Sequence, residues 1–281
     1  MPPRSLSRRM SRNLDRQRQI KKYLRNAHRI HGWLDHYSAV FISDLSQFQC
    51  QIGLNGSVGE IGVHMGRLFI LLKLGTKSNE KCFAVDVFGE QHLNIDNSGF
   101  GDRDKFLRNV RRWTGNTDII ILQSSSLDVR PADILDAVGQ CRLVSIDGGH
   151  TEELAYNDLR LVEPVLTDHG VVILDDFFNQ SWPGVAAGAA KYFLDPLTKL
   201  RPFAVTPNKL YLAAPTCHEL YRNAFLRAHE THFEKTVRMF GNDVDVFGCR
   251  PISVYRRIRY SIGKSKIGPS ARFVKKILKL A

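Results

Sequence analysis

Three stretches of this sequence gather residues that can do chemistry. The first is Val58-Gly59-Glu60-Ile61-Gly62-Val63-His64-Met65-Gly66, between a predicted strand and a predicted helix. An α/β sheet binds nucleotides at such a junction, because glycines let the backbone turn tightly and approach a ligand closely. The spacing is not the dinucleotide fingerprint: Glu60 stands where its first glycine would be, and Gly62 and Gly66 are four apart. No Gly-Lys-Ser/Thr follows, which excludes a P-loop. A second acid, Asp86, closes the next apolar run 20 residues after Gly66, the distance at which an acid reaches ribose hydroxyls in such folds. The second and third stretches are Ser145-Ile146-Asp147-Gly148-Gly149-His150 and Ile173-Leu174-Asp175-Asp176-Phe177-Phe178. Both fall at the carboxyl ends of predicted parallel strands, where α/β folds place their sites. Aspartates supply oxygen ligands for a hard cation, and a neutral histidine suits proton transfer near neutral pH.

The acid-x-Gly-x-x-x-Gly loop resembles motif I of class I S-adenosylmethionine-dependent methyltransferases. In that family the loop wraps the methionine part of the cofactor, and an acid there suits the positive α-amino and sulfonium groups. Asp-Gly-x-His at 147–150 followed by Gly-Val-Val-Ile-x-Asp-Asp at 170–176 is similar to the divalent-metal-dependent O-methyltransferases. The likeness is nearest to the group that includes sugar-modifying macrolide enzymes, with catechol methyltransferases more distant, and it spans roughly Gly56 to Ala214. It implies Glu60, Gly62, Gly66, Asp86 and Ser125 as cofactor-binding residues, Ser125 standing in the run Ser124–Ser126 that with Asp128 follows the third strand. It further implies Asp147, Asp175 and Asp176 as ligands to Mg²⁺, and a catalytic centre of His150, as general base, with Asp147. The catechol branch has Asn at the third ligand position, where this chain has Asp176.

The chemistry accounts for such a set. Methyl transfer is an in-line displacement in which an oxygen attacks the methyl of a sulfonium, and alignment contributes much of the acceleration, with effective molarities of ~10⁵–10⁸ M. A metal on the attacking oxygen lowers its pKa and orients it, and a histidine then takes the proton. His64, inside the cofactor loop, is a second candidate base. The plain structural alternatives stay open: neighbours on a regular strand point apart, so one of Asp175 and Asp176 would cap the next segment, and His150 would merely precede a helix.

The elements that must position these groups alternate. Strands are predicted at Ser57–Ile61, Cys82–Val87, Asp118–Gln123, Leu143–Asp147, Gly170–Leu174, Phe203–Thr206 and Leu210–Ala213. Helical spacing falls near Gly66–Leu74, Arg103–Trp113, Pro131–Val138, Glu152–Leu166 and Val185–Phe193, with an earlier helix from Trp33 to about Cys50. The fold class is therefore α/β, a doubly wound, mostly parallel seven-stranded sheet of the Rossmann-like methyltransferase kind. Its last two strands are joined only by Pro207, Asn208 and Lys209, too short for a parallel crossover, so they form an antiparallel terminal hairpin. The predicted organisation is a basic extension over 1–29, the catalytic domain over 30–215, a helical extension over 216–249 and a basic amphipathic tail over 250–281. The N-terminal helix, the loop Asn94–Asp102 and the segment after Asp176 are expected to shape the acceptor pocket.

Charge separates the ends from the body. Residues 1–29 hold ten Lys/Arg against one acid, and residues 250–281 hold ten against none, whereas 30–249 hold 20 against 27. A body built to grip a nucleic-acid backbone would more often carry the positive charge itself. The tails suit contact with anionic lipid, RNA or another polyanion, or are simply solvated, and the Arg/Ser-rich residues 1–18 read as disordered. The five cysteines (50, 82, 141, 217 and 249) form no CxxC pair, as expected of a reduced, cytoplasmic protein. No apolar run reaches membrane-spanning length, and no apolar stretch of the secretory kind follows the basic N-terminus. The expectation is a cytoplasmic enzyme, with contact at the inner membrane surface through its tails, using S-adenosylmethionine and Mg²⁺ on a small-molecule or glycan acceptor. The alternatives are an RNA or protein methyltransferase steered by the tails, and a non-catalytic cofactor-binding scaffold.

Overall fold

Short apolar runs and amphipathic stretches fold into a nine-stranded sheet, where the sequence predicts seven strands. The computed structural model describes residues 4–251, with side chains from Leu14 on; the basic tail expected over 250–281 lies, from residue 252, outside them. The strands are β1 (Ser57–Ile61), β2 (Cys82–Val85), β3 (Ile120–Leu122), β4 (Cys141–Ile146), β5 (Leu166–Leu174), β6 (Arg201–Val205), β7 (Leu210–Ala213), β8 (Phe233–Met239) and β9 (Asn242–Phe247). Their order is β3-β2-β1-β4-β5-β7-β6-β9-β8. The first five pair in parallel, and β7 runs antiparallel to both β5 and β6, as the short 207–209 connection requires. The chain leaves β1 toward β2 and β3, then returns to β4 on the other side of β1. This reversal opens a crevice at the carboxyl ends of β1 and β4.

Among the described residues eight α-helices accompany the sheet: α1 (Arg4–Asn26), α2 (His36–Gln51), α3 (Arg67–Leu74), α4 (Arg103–Thr114), α5 (Pro131–Val138), α6 (Glu152–Val162), α7 (Pro183–Leu194) and α8 (His218–Ala228). Alternate strand residues feed two cores. Leu143, Val171, Ile173 and Tyr211 pack under α1–α4 and α8, whereas Val144, Val172, Leu174 and Leu212 pack under α5–α7. The helix predicted to reach Leu166 stops at Val162, where the chain tightens into a single 3-10 turn over Glu163–Val165; Pro164 has no N–H with which to continue the α-helical ladder. That releases Leu166 to begin β5 four residues earlier than predicted.

Two expectations need correcting. Of residues 1–18, expected to be disordered, those from Arg4 on belong to α1, and the first three lie outside the described residues. The C-terminal half of α1 is held by Tyr23, which is fully buried, meets the Trp113 ring edge-on at 5.0 Å and donates its hydroxyl hydrogen to the Arg67 carbonyl. The helical extension expected over 216–249 is helical only to Ala228, and β8 and β9 follow as a hairpin that extends the sheet. Phe240 and Gly241 lie at φ +46° and +76°, the backbone of a tight two-residue hairpin turn.

Candidate active site

The strand ends are stitched together by backbone hydrogen bonds that continue past the sheet. Gly62 N–H donates to Val85 O (2.8 Å), Asp147 N–H to Ile61 O (2.8 Å) and Asp175 N–H to Ile146 O (2.9 Å). These bonds line up the residues following β1, β2, β4 and β5 along one rim. A cavity of about 520 Å³ opens above it, walled by Gly62, Asp86, Ser124–Ser126, Asp147–His150, Asp175, Asp176 and the hairpin residues Asn208 and Lys209.

The β1 and β2 ends form one half of the cavity. Asp86 accepts the amide protons of His64 (2.7 Å) and Phe88 (2.6 Å), which fixes the loop against β2. Burial pushes the Asp86 carboxyl up, and those amides oppose the rise. Ser125 lines the cavity and caps the short turn at 126–128 by accepting the Leu127 amide proton. Glu60 and Gly66 do not line it. Gly66 caps α3 at φ +86° against Phe106. Glu60 is 2 % exposed beneath the loop, and one of its oxygens has no partner. Burial pushes its carboxyl well up, Lys209 pulls it back, and Asp175 and Asp86 add to the rise. His64, at φ +50°, borders the cavity, and its ring meets those of His31 and Trp33.

The β4 and β5 ends form the other half. His150 is clamped between two carboxylates, with Nδ1 2.9 Å from Asp96 Oδ2 and Nε2 2.9 Å from Asp176 Oδ2. Trp182 stacks on its ring at 4.3 Å. Burial alone would lower the imidazole pKa, but the bonds to Asp176 and Asp96 outweigh it and hold the group at about 9. Asp176 sits at φ +57°, so its side chain leaves the strand direction and turns toward His150. Burial raises its carboxyl, yet donors from His150, Asn179 and Asn208 bring it down to about 2. The Asp147 carboxylate accepts no hydrogen bond among the described residues, and burial and Asp175 push it well up. Donor atoms of Asp147, His150 and Asp176 lie within 4.8 Å of one another, a spacing one cation can bridge. Asp175 is not in that group. One of its oxygens takes the ammonium of buried Lys209, and the other takes the amide protons of Asp176 (2.9 Å) and Asn208 (3.3 Å).

Sequence reasoning did not single out Asp96, Lys209, Asn208 or Trp182. Asp96 stands 54 residues from His150 in the chain and Lys209 34 from Asp175. Nothing local marks either as a partner.

Residues 60–177, the segment that builds this cavity, match the family described as a methyltransferase domain. Over this segment the chain is similar to that family. Its sheet also superposes on the O-methyltransferase NovP, with a TM-score of 0.54 and 17% identity, over 66% of this chain and 82% of that one. An O-methyltransferase from Bacillus cereus, in complex with SAH, matches at a TM-score of 0.50 and 13% identity, over 70% of this chain and 90% of that one. At these identities the likeness is one of fold. No curated protein matches the chain significantly.

One buried acid beneath the cavity gives a stability test. Asp158 on α6 is fully buried under Gly148 and has one oxygen without a partner. Burial raises its pKa to about 6, against hydrogen bonds from Ser126 and Asn157. A folded pKa above the unfolded value near 3.9 favours the protonated form, so its contribution is full below about pH 4 and is lost as pH rises through 6. Asp158→Asn is therefore expected to gain stability at pH 8, by about 3 kcal/mol at most for a shift of this size. The gain should shrink toward zero near pH 4. Urea unfolding at both pH values checks this, and an equal effect at the two would rule the mechanism out.

Proposed function

We propose that this protein transfers the methyl group of S-adenosylmethionine to a hydroxyl oxygen of a sugar or another polyhydroxylated small molecule. The observation that carries the reading is His150, held between Asp96 and Asp176 in the same cavity wall as the Gly62 loop and Asp147. The O-methyltransferase neighbours support the choice of oxygen as acceptor atom. Polar Asp35, Asn97, Ser98 and Asn179 interleave with Trp33 and Trp182 along the cavity, which suits a ring with hydroxyls on its edge and an apolar face.

In this reading Asp86 receives the ribose hydroxyls and Ser125 borders the adenine. Gly62 allows the backbone to approach the methionine part. The buried carboxylates favour the cationic cofactor over its neutral product. The acceptor oxygen attacks the methyl carbon, the carbon–sulfur bond breaks, and its electron pair stays on sulfur as a neutral thioether. The hydroxyl proton passes to Nε2 of His150. Asp96 holds Nδ1–H, so Nε2, 2.9 Å from Asp176 Oδ2, is the nitrogen that takes the proton, and it does so from the neutral ring, which a pKa of about 9 leaves as the minor form at neutral pH. The imidazolium so formed is the state both carboxylates stabilise.

Asp147 and Asp176 fit a divalent cation: one carboxylate is bare toward the cavity, and both lie within bridging distance. Two carboxylates plus water and substrate oxygen are a usual Mg²⁺ environment. Such an ion would supply a Lewis acid that lowers the pKa of the acceptor hydroxyl and offsets the Asp176 charge that keeps His150 protonated.

Isothermal calorimetry with S-adenosylmethionine and S-adenosylhomocysteine, with and without Mg²⁺, tests the reading. Micromolar cofactor affinity is expected, followed by Mg²⁺-dependent methylation in a screen of sugar acceptors. A folded protein that binds neither cofactor form would overturn the reading. Full turnover in excess chelator would remove only the metal from it.

A further inference from the structure

The metal part of the proposed function leaves one aspartate unaccounted for, and its partner is a lysine. In the hairpin of β6 and β7, Thr206 and Lys209 exchange backbone hydrogen bonds around Pro207 and Asn208. The β5–β7 register pairs Leu174 with Leu210, so the next residues outward, Asp175 and Lys209, stand opposite each other. Lys209 is 2 % exposed, and its ammonium sits on Asp175 Oδ2. A lysine this buried is seldom found unpaired. Asn208 closes the other side by donating to Asp175 and Asp176. Both oxygens of Asp175 are thus filled from within the chain, and the hairpin register leaves the ammonium little room to swing away.

We propose that Lys209 is a fixed internal cation that withdraws Asp175 from the divalent-cation site, leaving a two-carboxylate site of low affinity built on Asp147 and Asp176. This rests on the metal reading above. A three-aspartate site would gather three negative charges on one ion. Here the lysine neutralises one of them permanently, and its charge also acts on Asp147. The site then keeps one positive charge beside the carboxylates whether or not an ion is bound, and occupancy follows the free Mg²⁺ concentration.

The test uses Mn²⁺ alone as probe, with the loss of the free-ion electron paramagnetic resonance signal as readout on the full chain. The wild type should bind weakly, and Asp147→Asn should abolish binding. Lys209→Met should bind at least tenfold more tightly, because it frees a third carboxylate. Should that variant fold poorly, the pair Lys209→Met with Asp175→Asn removes both charges and should return wild-type affinity. A tenfold loss in Lys209→Met with Asp175→Asn relative to the wild type would make Asp175 a ligand and overturn the proposal, as would an unchanged affinity in folded Lys209→Met. No Mn²⁺ binding by the wild type or by Lys209→Met would instead sink the metal reading itself, and this inference with it.

Discussion

Replacing His150 by alanine is expected to lower kcat by about 10²–10⁴, the range that positioned general bases contribute, while S-adenosylmethionine affinity stays within about twofold. The separation follows from the geometry. His150 touches Asp96, Asp176 and Trp182, whereas Gly62, Asp86 and Ser125 build the cofactor half of the cavity. Asp96→Asn tests the same arrangement one step removed. An amide in place of that carboxylate no longer favours Nδ1–H, so kcat should fall while KM for the acceptor changes less. His64→Ala is the comparison that matters most. His64 borders the cavity, but its ring faces His31 and Trp33. A larger kcat loss in His64→Ala than in His150→Ala, read by single-turnover kinetics at saturating cofactor, would move the base to the other half of the cavity.

Part of this site is visible in the chain because local signals carry it. Asp147, His150 and Asp176 follow apolar runs such as Leu143–Ile146 and Val171–Leu174, and strand ends in a parallel sheet are where side chains meet a ligand. β1, β2 and β4 are legible for the same reason: parallel strands buried on both faces read as continuous apolar runs. The remainder depends on tertiary context. β8 has three exposed residues in succession, Glu234–Thr236, and lies at the sheet edge, so its Phe233, Val237 and Met239 do not separate from a helical pattern. α1 carries the composition of a solvated tail, and only contacts such as Tyr23 with Trp113 show that its C-terminal half is packed. Glu60 has the motif position of a cofactor contact but lies under the loop beside Lys209, a partner about 150 residues away in sequence. Long-range pairing of this kind decides which carboxylates face the cavity, and no spacing rule contains it.

Gly62→Ala is expected to have the other large effect, on folding and cofactor binding together. Gly62 has φ +82°, and a Cβ there would stand 1.9 Å from the Asp147 carbonyl oxygen, 2.4 Å from its carbon and 2.8 Å from Gly148 Cα. All three are backbone atoms, so no side-chain rotation relieves the clash. The loop would have to lift from the end of β4, carrying away the wall that the cofactor needs and displacing Asp147. Left-handed backbone costs a non-glycine residue about 1–2 kcal/mol, and overpacking typically adds about 1–3 kcal/mol. The expected loss in urea unfolding is therefore about 2–5 kcal/mol, with at least tenfold weaker S-adenosylmethionine binding by the folded fraction. Gly53→Ala separates the two contributions, since Gly53 has φ +80° and a Cβ there would meet nothing within 4 Å. It should show the conformational cost alone and bind cofactor normally. If Gly62→Ala costs no more than Gly53→Ala and binds cofactor as the wild type does, then the close approach of the β1 loop to Asp147 is not what shapes the cavity.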